Sequence, residues 1–402
     1  MAKIADYISP QTPSKLLVGL IFFFSATQLG FHFWPDSSLV YGVRVDYLSP
    51  TIYFLDLLII FYLFSSGYFK KYLKISAWSL VINPILLFFL LPNLLYSLNP
   101  LATLTWSLHF CLYTAFLVSL RPTFNGVISA VLLLSLLFQL TLSLIQVKFG
   151  HSIGGLLYYV GERNVAVGSP GIALGSYMGE VILRAYGTFG HPNVLAGWAV
   201  LSLLILLRLK TKKYLLVSAT VLTTILVMLS QSRAAALSIF GLIIPFYFLS
   251  NLKTRAFYFL IFLTTSLYLL SYGPFLRPDT SLSERRTLQS LSWSIIKSQP
   301  IFGTGANASI STYPMISPEF RLFQPDHNSL TLFISWFGIF GVLAIIYYLK
   351  TYLKFNAWNL LTYLLPILPF ILFDHYILTS PQGLFTSLVY LWFLKLQQLN
   401  KS

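Results

Sequence analysis

Runs of mostly apolar residues, each about 17 to 25 long, return along almost the whole chain, and a run of that length is enough for a helix to cross the hydrocarbon core of a bilayer. Twelve can be counted, near 15–34, 50–67, 75–92, 100–119, 124–146, 193–208, 214–230, 234–250, 256–273, 328–349, 356–373 and 383–396. With 56% of its 402 residues hydrophobic and only 9% charged, the chain lies outside the range of water-soluble domains. The expected fold class is an all-α polytopic membrane protein of about twelve transmembrane helices. The first run follows a short lysine-bearing head and is read as an uncleaved anchor, because it is near spanning length and many more spans follow.

Short basic turns fall at every second connection: Lys70, Lys71 and Lys74; Arg208, Lys210, Lys212 and Lys213; Lys253 and Arg255; Lys350 and Lys354. The positive-inside rule makes that side cytoplasmic, with both termini on it, in a multi-pass membrane protein. Sixteen of the 26 basic residues lie on that edge with one acid, Asp6, so the edge alone accounts for the net charge of +15. Spread over short turns, this excess offers no basic domain for a phosphate backbone, and nucleic-acid binding is not expected. The lone Cys111 rules out an internal disulfide or a thiolate metal cage.

The chain reads as one transmembrane domain, 1–402, with two long extracytoplasmic loops, 147–192 and 273–327, where function should concentrate. In the first, glycine-broken alternation between Gly171 and Arg184 predicts a small hairpin at the membrane surface. In the second, Leu288, Leu291 and Ile295 recur at helical spacing from Ser283 to Ser298, and Pro300 with Gly303 and Gly305 ends that amphipathic helix. Gly303-Thr-Gly305 is too short for a phosphate loop.

Charge inside or at the end of a span is costly, so the few such residues are functional suspects. Arg233 opens the eighth span beside Ser230, Gln231 and Ser232; an interfacial arginine can snorkel to lipid, but these polar neighbours favour an inward-facing role. Arg184 precedes the sixth span by nine residues, and Arg285 and Arg286 begin the amphipathic helix with Glu284 alongside. Solvated surface arginine is the commonest fate of such residues; against it, guanidinium forks bind phosphate oxygens bidentately, and seven of the nine basic residues in the outer loops are arginine. His327 stands at the start of the tenth span, where the helix dipole favours neutral imidazole, the form of a general base. Asp326 can cap that helix, and Asn328 follows. His191 and Asn193 flank Pro192 at the entry of the sixth span and fit a helix-entry turn. Asp56, His109, Asp374 and His375 are weaker intramembrane candidates. No set of carboxylates clusters in sequence, so no metal and no cofactor are expected.

Four segments, in this order and on this side of the membrane, resemble the O-antigen ligase and O-antigen polymerase superfamily of bacterial envelope glycan enzymes. They are Arg184-Ala-Tyr-Gly-Thr-Phe-Gly-His-Pro-Asn193, Ser-Gln-Ser-Arg233, Ser-Glu-Arg285-Arg with Gln299-Pro-Ile-Phe-Gly-Thr-Gly305, and Asp-His327-Asn ahead of Trp336-Phe-Gly-Ile-Phe-Gly341. The resemblance implies a metal-independent inverting glycosyltransferase with an undecaprenyl-pyrophosphate glycan donor and a glycolipid, glycan or protein acceptor. It further implies that Arg233 and Arg285 hold the pyrophosphate, with Arg184 as a further contact, and that His327 activates the acceptor hydroxyl. Arg286 departs from the usual single arginine of the pattern. A polymerase of the same superfamily is the nearest alternative, and a lipid-linked oligosaccharide flippase a more distant one.

Overall fold

The computed structural model describes residues 15–67, 84–177, 179–209, 211–249, 266, 280–352 and 364–399. Helices dominate. In chain order they begin with α1 (Lys15–Phe24), then strands β1 (Gly30–His32), β2 (Leu39–Val40), β3 (Val43–Arg44) and β4 (Thr51–Tyr53) before α2 (Phe54–Ser65). There follow α3 (Pro84–Leu95), α4 (Pro100–Ser119), α5 (Asn125–Phe149), β5 (Leu174–Tyr177), β6 (Glu180–Leu183), α6 (Pro192–Arg208), α7 (Lys213–Ser230) and α8 (Arg233–Leu249). The last elements are α9 (Thr280–Ser298), α10 (Ser329–Tyr352), α11 (Leu368–Phe373) and α12 (Pro381–Leu399).

Four helical stretches, Pro100–Ser119, Pro122–Phe149, Lys213–Ser230 and Ser329–Tyr347, are long and apolar enough to cross a membrane, and Lys15–Phe24, Phe54–Ser65, Pro192–Arg208 and Arg233–Leu242 are shorter apolar helices. The sequence span at 256–273 and the first parts of those at 75–92 and 356–373 lie outside the described residues. The expected span at 15–34 is too long: the helix stops at Phe24, and residues 30–53 form two antiparallel pairs, β1 with β4 and β2 with β3. Aromatic side chains explain the misreading, since Phe31 and Phe33 raise hydropathy yet stand exposed on the loop.

Helix α6 is the centre of the bundle. It packs against α5, α7, α8 and α12, and Leu195 to Leu206 are buried without interruption, the mark of a helix apolar all round. Gly197 makes a notch in it: a Cβ there would lie 1.6 Å from the hydroxyl of Tyr376, so Tyr376 seats its ring where no side chain can stand. At one end of the bundle Asp56 bolts α2 to α4, accepting hydrogen bonds from the Tyr113 hydroxyl (3.0 Å) and pairing with His109 (3.1 Å).

Helix α10 is broken at Gly338, whose φ of 60° and ψ of −164° are open essentially to glycine alone. The break frees backbone groups, and residues 300–305 take them up. Thr304 and Gly305 donate to the carbonyls of Ser335 (2.9 Å) and Trp336 (3.0 Å), while Ile339 and Phe340 donate to Pro300 (2.9 Å) and Ile301 (3.1 Å). Asn93 of α3 donates to the Trp336 carbonyl at 2.7 Å and accepts from Ala306 at 3.0 Å. The two glycine-rich sequence segments are thus one interlock that fixes α9 against α10. Irregular backbone inside an apolar bundle is tolerable where protein satisfies it in this way.

Candidate active site

The segment from Arg184 to Asn193 is held from beneath by two glutamines of α5. Gln139 accepts from the Thr188 amide (3.0 Å) and donates to the Thr188 hydroxyl (2.7 Å). Gln146, two turns along the same face, accepts from the Gly187 amide (2.8 Å) and donates to the Gly187 carbonyl and to Glu162 (2.9 Å each). Gly187 has a φ of 57°, and a Cβ on it would strike Gln139 at 2.2 Å, which is why this turn requires glycine. Both glutamines are fully buried, and burial of an amide is tolerable only with its bonds made. Sequence reasoning passed over them, although two amides seven apart in an apolar span share one helix face.

Held this way, the segment aims two side chains. Arg184 donates through Nε to the Ser230 carbonyl (2.6 Å) and through Nη2 to Asn193 Oδ1 (2.7 Å) and the Gln231 carbonyl (3.4 Å). It therefore ties the entry of α6 to the α7–α8 turn, directly before the half-buried Arg233. His191 caps α6, its Nδ1 accepting from the Asn193 amide at 3.1 Å. The imidazole is reached by solvent yet walled by protein; desolvation first, then the charges of Arg184, His327, His375 and Arg285, push its pKa well below the ordinary value.

His327 stands before α10, which Asn328 caps by accepting from the amides of Leu330 (3.0 Å) and Thr331 (3.2 Å). Asp326 is buried and occupied: it accepts from the Asn328 amide at 3.0 Å and from the Thr331 hydroxyl, and burial raises its pKa. The ring of His327 lies 4.8 Å, centroid to centroid, from that of His375, whose other flank meets Tyr47 at 5.6 Å. His375 Nδ1 is bonded to the Thr379 hydroxyl at 2.7 Å, and Ser329 ties this corner to α10 by donating to the Asp374 carbonyl at 2.6 Å. Two buried polar atoms here lack a hydrogen-bond partner, His327 Nδ1 and Asp374 Oδ2. The ligand-type atoms of His327, Asp374 and His375 fall within 4.8 Å of one another, the one such trio among the described residues. Folding thus assembles a group that the linear sequence, with 46 residues between His327 and Asp374, kept apart.

Arg285 reaches into the same place from α9. Its Nη1 lies 3.5 Å from the Phe373 carbonyl, and its charge joins burial in pushing His327 and His375 down to about 3. Arg286, one step around the helix, is exposed, and Leu288, Leu291 and Ile295 are the buried face of α9. The structure therefore gathers His327, Asp374, His375, Arg285, His191 and Arg184 in one neighbourhood. It sets Asp56 and His109 apart as partners of each other.

Residues 218–349 match the family model described as O-antigen ligase. This stretch is similar to the O-antigen ligase family. The matched segment runs from within α7 into α10 and contains Arg233, Arg285, Arg286 and His327, while Arg184, His191, Asp374 and His375 lie outside it. Neither a curated protein nor a solved structure matches the chain.

Proposed function

We propose that this protein transfers a glycan from a polyprenyl-pyrophosphate donor, such as the undecaprenyl carrier, to an acceptor hydroxyl at the extracytoplasmic face of the bacterial cytoplasmic membrane. The observation that carries the reading is an imidazole, His327, beside the buried carboxylate of Asp374 and close enough to the Arg285 guanidinium to feel its charge. In the transfer, the acceptor oxygen bonds to the anomeric carbon as the carbon–oxygen bond to the diphosphate breaks, with inversion. The acceptor proton passes to His327 Nε2, and the diphosphate leaves with the electron pair.

Each residue follows from that balance. Asp374 accepts from His327 Nδ1–H once the two orphaned atoms close, fixing the tautomer that leaves Nε2 as base. Arg285, with Arg233 at the α8 entry, offers donors to the charge that builds on the leaving diphosphate, where preorganised charge is worth most. Burial keeps His327 neutral in the empty site, and the arriving anion raises its basicity when a proton must be taken. The positive charge of Arg285, which acts on both His327 and His375, disfavours a dication at the His327–Asp374–His375 trio, which supports metal-independent transfer. Ligation to a finished acceptor and polymerisation of repeats use this same step and differ in the acceptor; the single base and clamp serve a ligase-type reaction with a glycolipid, glycan or protein acceptor. The asymmetry of basic turns supports cytoplasmic termini.

The test is transfer by purified protein in detergent, where no sealed compartment lets a flippase register. His327→Ala should lose at least about 100-fold in rate, the lower end of what a positioned base contributes, with membrane insertion intact and with the wild type insensitive to chelator. Transfer at the wild-type rate in His327→Ala would remove the base from the scheme.

A further inference from the structure

Arg163, on the turn before the hairpin of β5 and β6, is placed by more machinery than a surface arginine needs. Gly161 has a φ of 95°, and a Cβ on it would lie 2.9 Å from Thr27 and 3.1 Å from the Gln28 amide, so the turn is pressed onto the backbone that follows α1. Glu162 is buried and anchored: its carboxylate accepts from Gln146 Nε2 (2.9 Å) and from the amides of Ile153 (2.9 Å) and Gly154 (2.8 Å). Gln146 is the same side chain that holds Gly187. One buried network therefore sets both the turn that carries Arg163 and the turn that leads to His191.

From that fixed base the guanidinium crosses the bare face of Gly190. Its Nη1 stands 3.2 Å from the position a Cβ on Gly190 would take, immediately beside His191. Its charge is felt by His32, Tyr47 and Tyr186, and Tyr47 is the ring that flanks His375. The ion pair it makes is loose: Nη2 lies 3.6 Å from Asp46 Oδ2, beyond hydrogen-bond length, with the two side chains 51% and 53% exposed. Such an exposed pair contributes little to stability. Arg184 is the contrast, since its donors are committed to carbonyls and to Asn193. A guanidinium that is rigidly based, half-exposed and weakly partnered at the His191 edge keeps its fork for something that arrives.

We infer that Arg163 is a substrate-contacting residue that grips a phosphate oxyanion on the His191 side of the site, with Asp46 holding the fork until the anion displaces it. The inference rests on the glycan-transfer reading for the identity of the anion, which is either the diphosphate of the donor or a phosphate on the acceptor. The atoms that bind are the same for both.

The test is titration of the purified full-length protein with inorganic pyrophosphate, followed by steady-state transfer. Arg163→Gln should weaken pyrophosphate at least about tenfold, as expected for loss of hydrogen bonds to a charged group; Arg163→Lys should recover only part, because the fork is gone. Asp46→Asn should tighten binding a few-fold by removing the competitor. If the pair were only structural, both substitutions would lower thermal stability alike and leave pyrophosphate affinity unchanged, and that outcome overturns the inference. Should Arg163→Gln fail to fold, the direction of the Asp46→Asn effect decides. A raised KM for the lipid-diphosphate donor assigns the anion to the donor, and one confined to a phosphorylated acceptor assigns it there. His327→Ala should slow transfer at least about 100-fold and keep pyrophosphate affinity; a wild type that binds pyrophosphate through Arg163 without transferring glycan would sink the transferase reading alone.

Discussion

Gly338→Ala tests whether the interlock of α10 with residues 300–305 positions the site. The substitution puts a Cβ 2.2 Å from the Ile301 carbonyl oxygen and 2.4 Å from its carbon, backbone atoms that cannot swing aside. Its φ of 60° with ψ of −164° adds strain of about 1–3 kcal/mol for a residue with a side chain. Relief requires the strap to lift, which loosens the four backbone hydrogen bonds between residues 300–305 and 335–340, each worth about 0.5–1.5 kcal/mol net and more where it leaves a buried group unpaired. The combined cost is about 3–9 kcal/mol. Arg285 stands on the helix that the strap terminates, and His327 stands at the head of α10, so a lifted strap moves one against the other. A displacement near 1 Å can cost about 100-fold in rate. Thermal unfolding in detergent and transfer kinetics measure both effects. Gly126→Ala is the control, because nothing lies within 4 Å of a Cβ there. If Gly338→Ala unfolds with the control and transfers at the wild-type rate, the interlock does not position the site.

Two more outcomes follow from the site itself. His327 and His375 titrate near 3 in the folded protein and near 6.5 when unfolded, and His191 is shifted the same way; the unfolded chain therefore binds more protons between those limits. Stability should fall as pH drops from about 6.5 toward 3 and be flat from this source above 6.5, which thermal unfolding against pH measures, and His375→Gln should flatten the slope. Arg184→Ala should cost roughly 2–4 kcal/mol of stability by orphaning Asn193 and the Ser230 carbonyl, whereas loss of pyrophosphate affinity at unchanged stability would show that Arg184 is a substrate contact and not a tie.

Some of this was legible in the residues themselves. Long apolar runs and alternating basic turns disclose a membrane chain because lipid and charge act on short windows. His191-Pro192-Asn193 and Asp326-His327-Asn328 mark helix entries, because capping is a local exchange of hydrogen bonds. The break at Gly338 was hidden: a glycine in an apolar run looks the same whether or not the helix passes through it, and its partners lie some 35 residues earlier. Gln139 and Gln146 were hidden for the same reason, since the turn they hold lies 49 and 41 residues further on. The aromatic residues of 30–53 misled in the opposite sense, as hydropathy cannot tell a lipid-facing ring from an exposed one. Asp374 and His375 came beside His327 only when α11 folded back against α10.

Tyr376, seated in the notch at Gly197, sits one residue after His375, and α6 begins one residue after His191. The distance between these two imidazoles is thus gauged by a peg in a slot of a helix screened by its neighbours. Outer helices can lean or slide as acyl chains lengthen or fluidity changes with temperature, while this inner joint keeps its dimension.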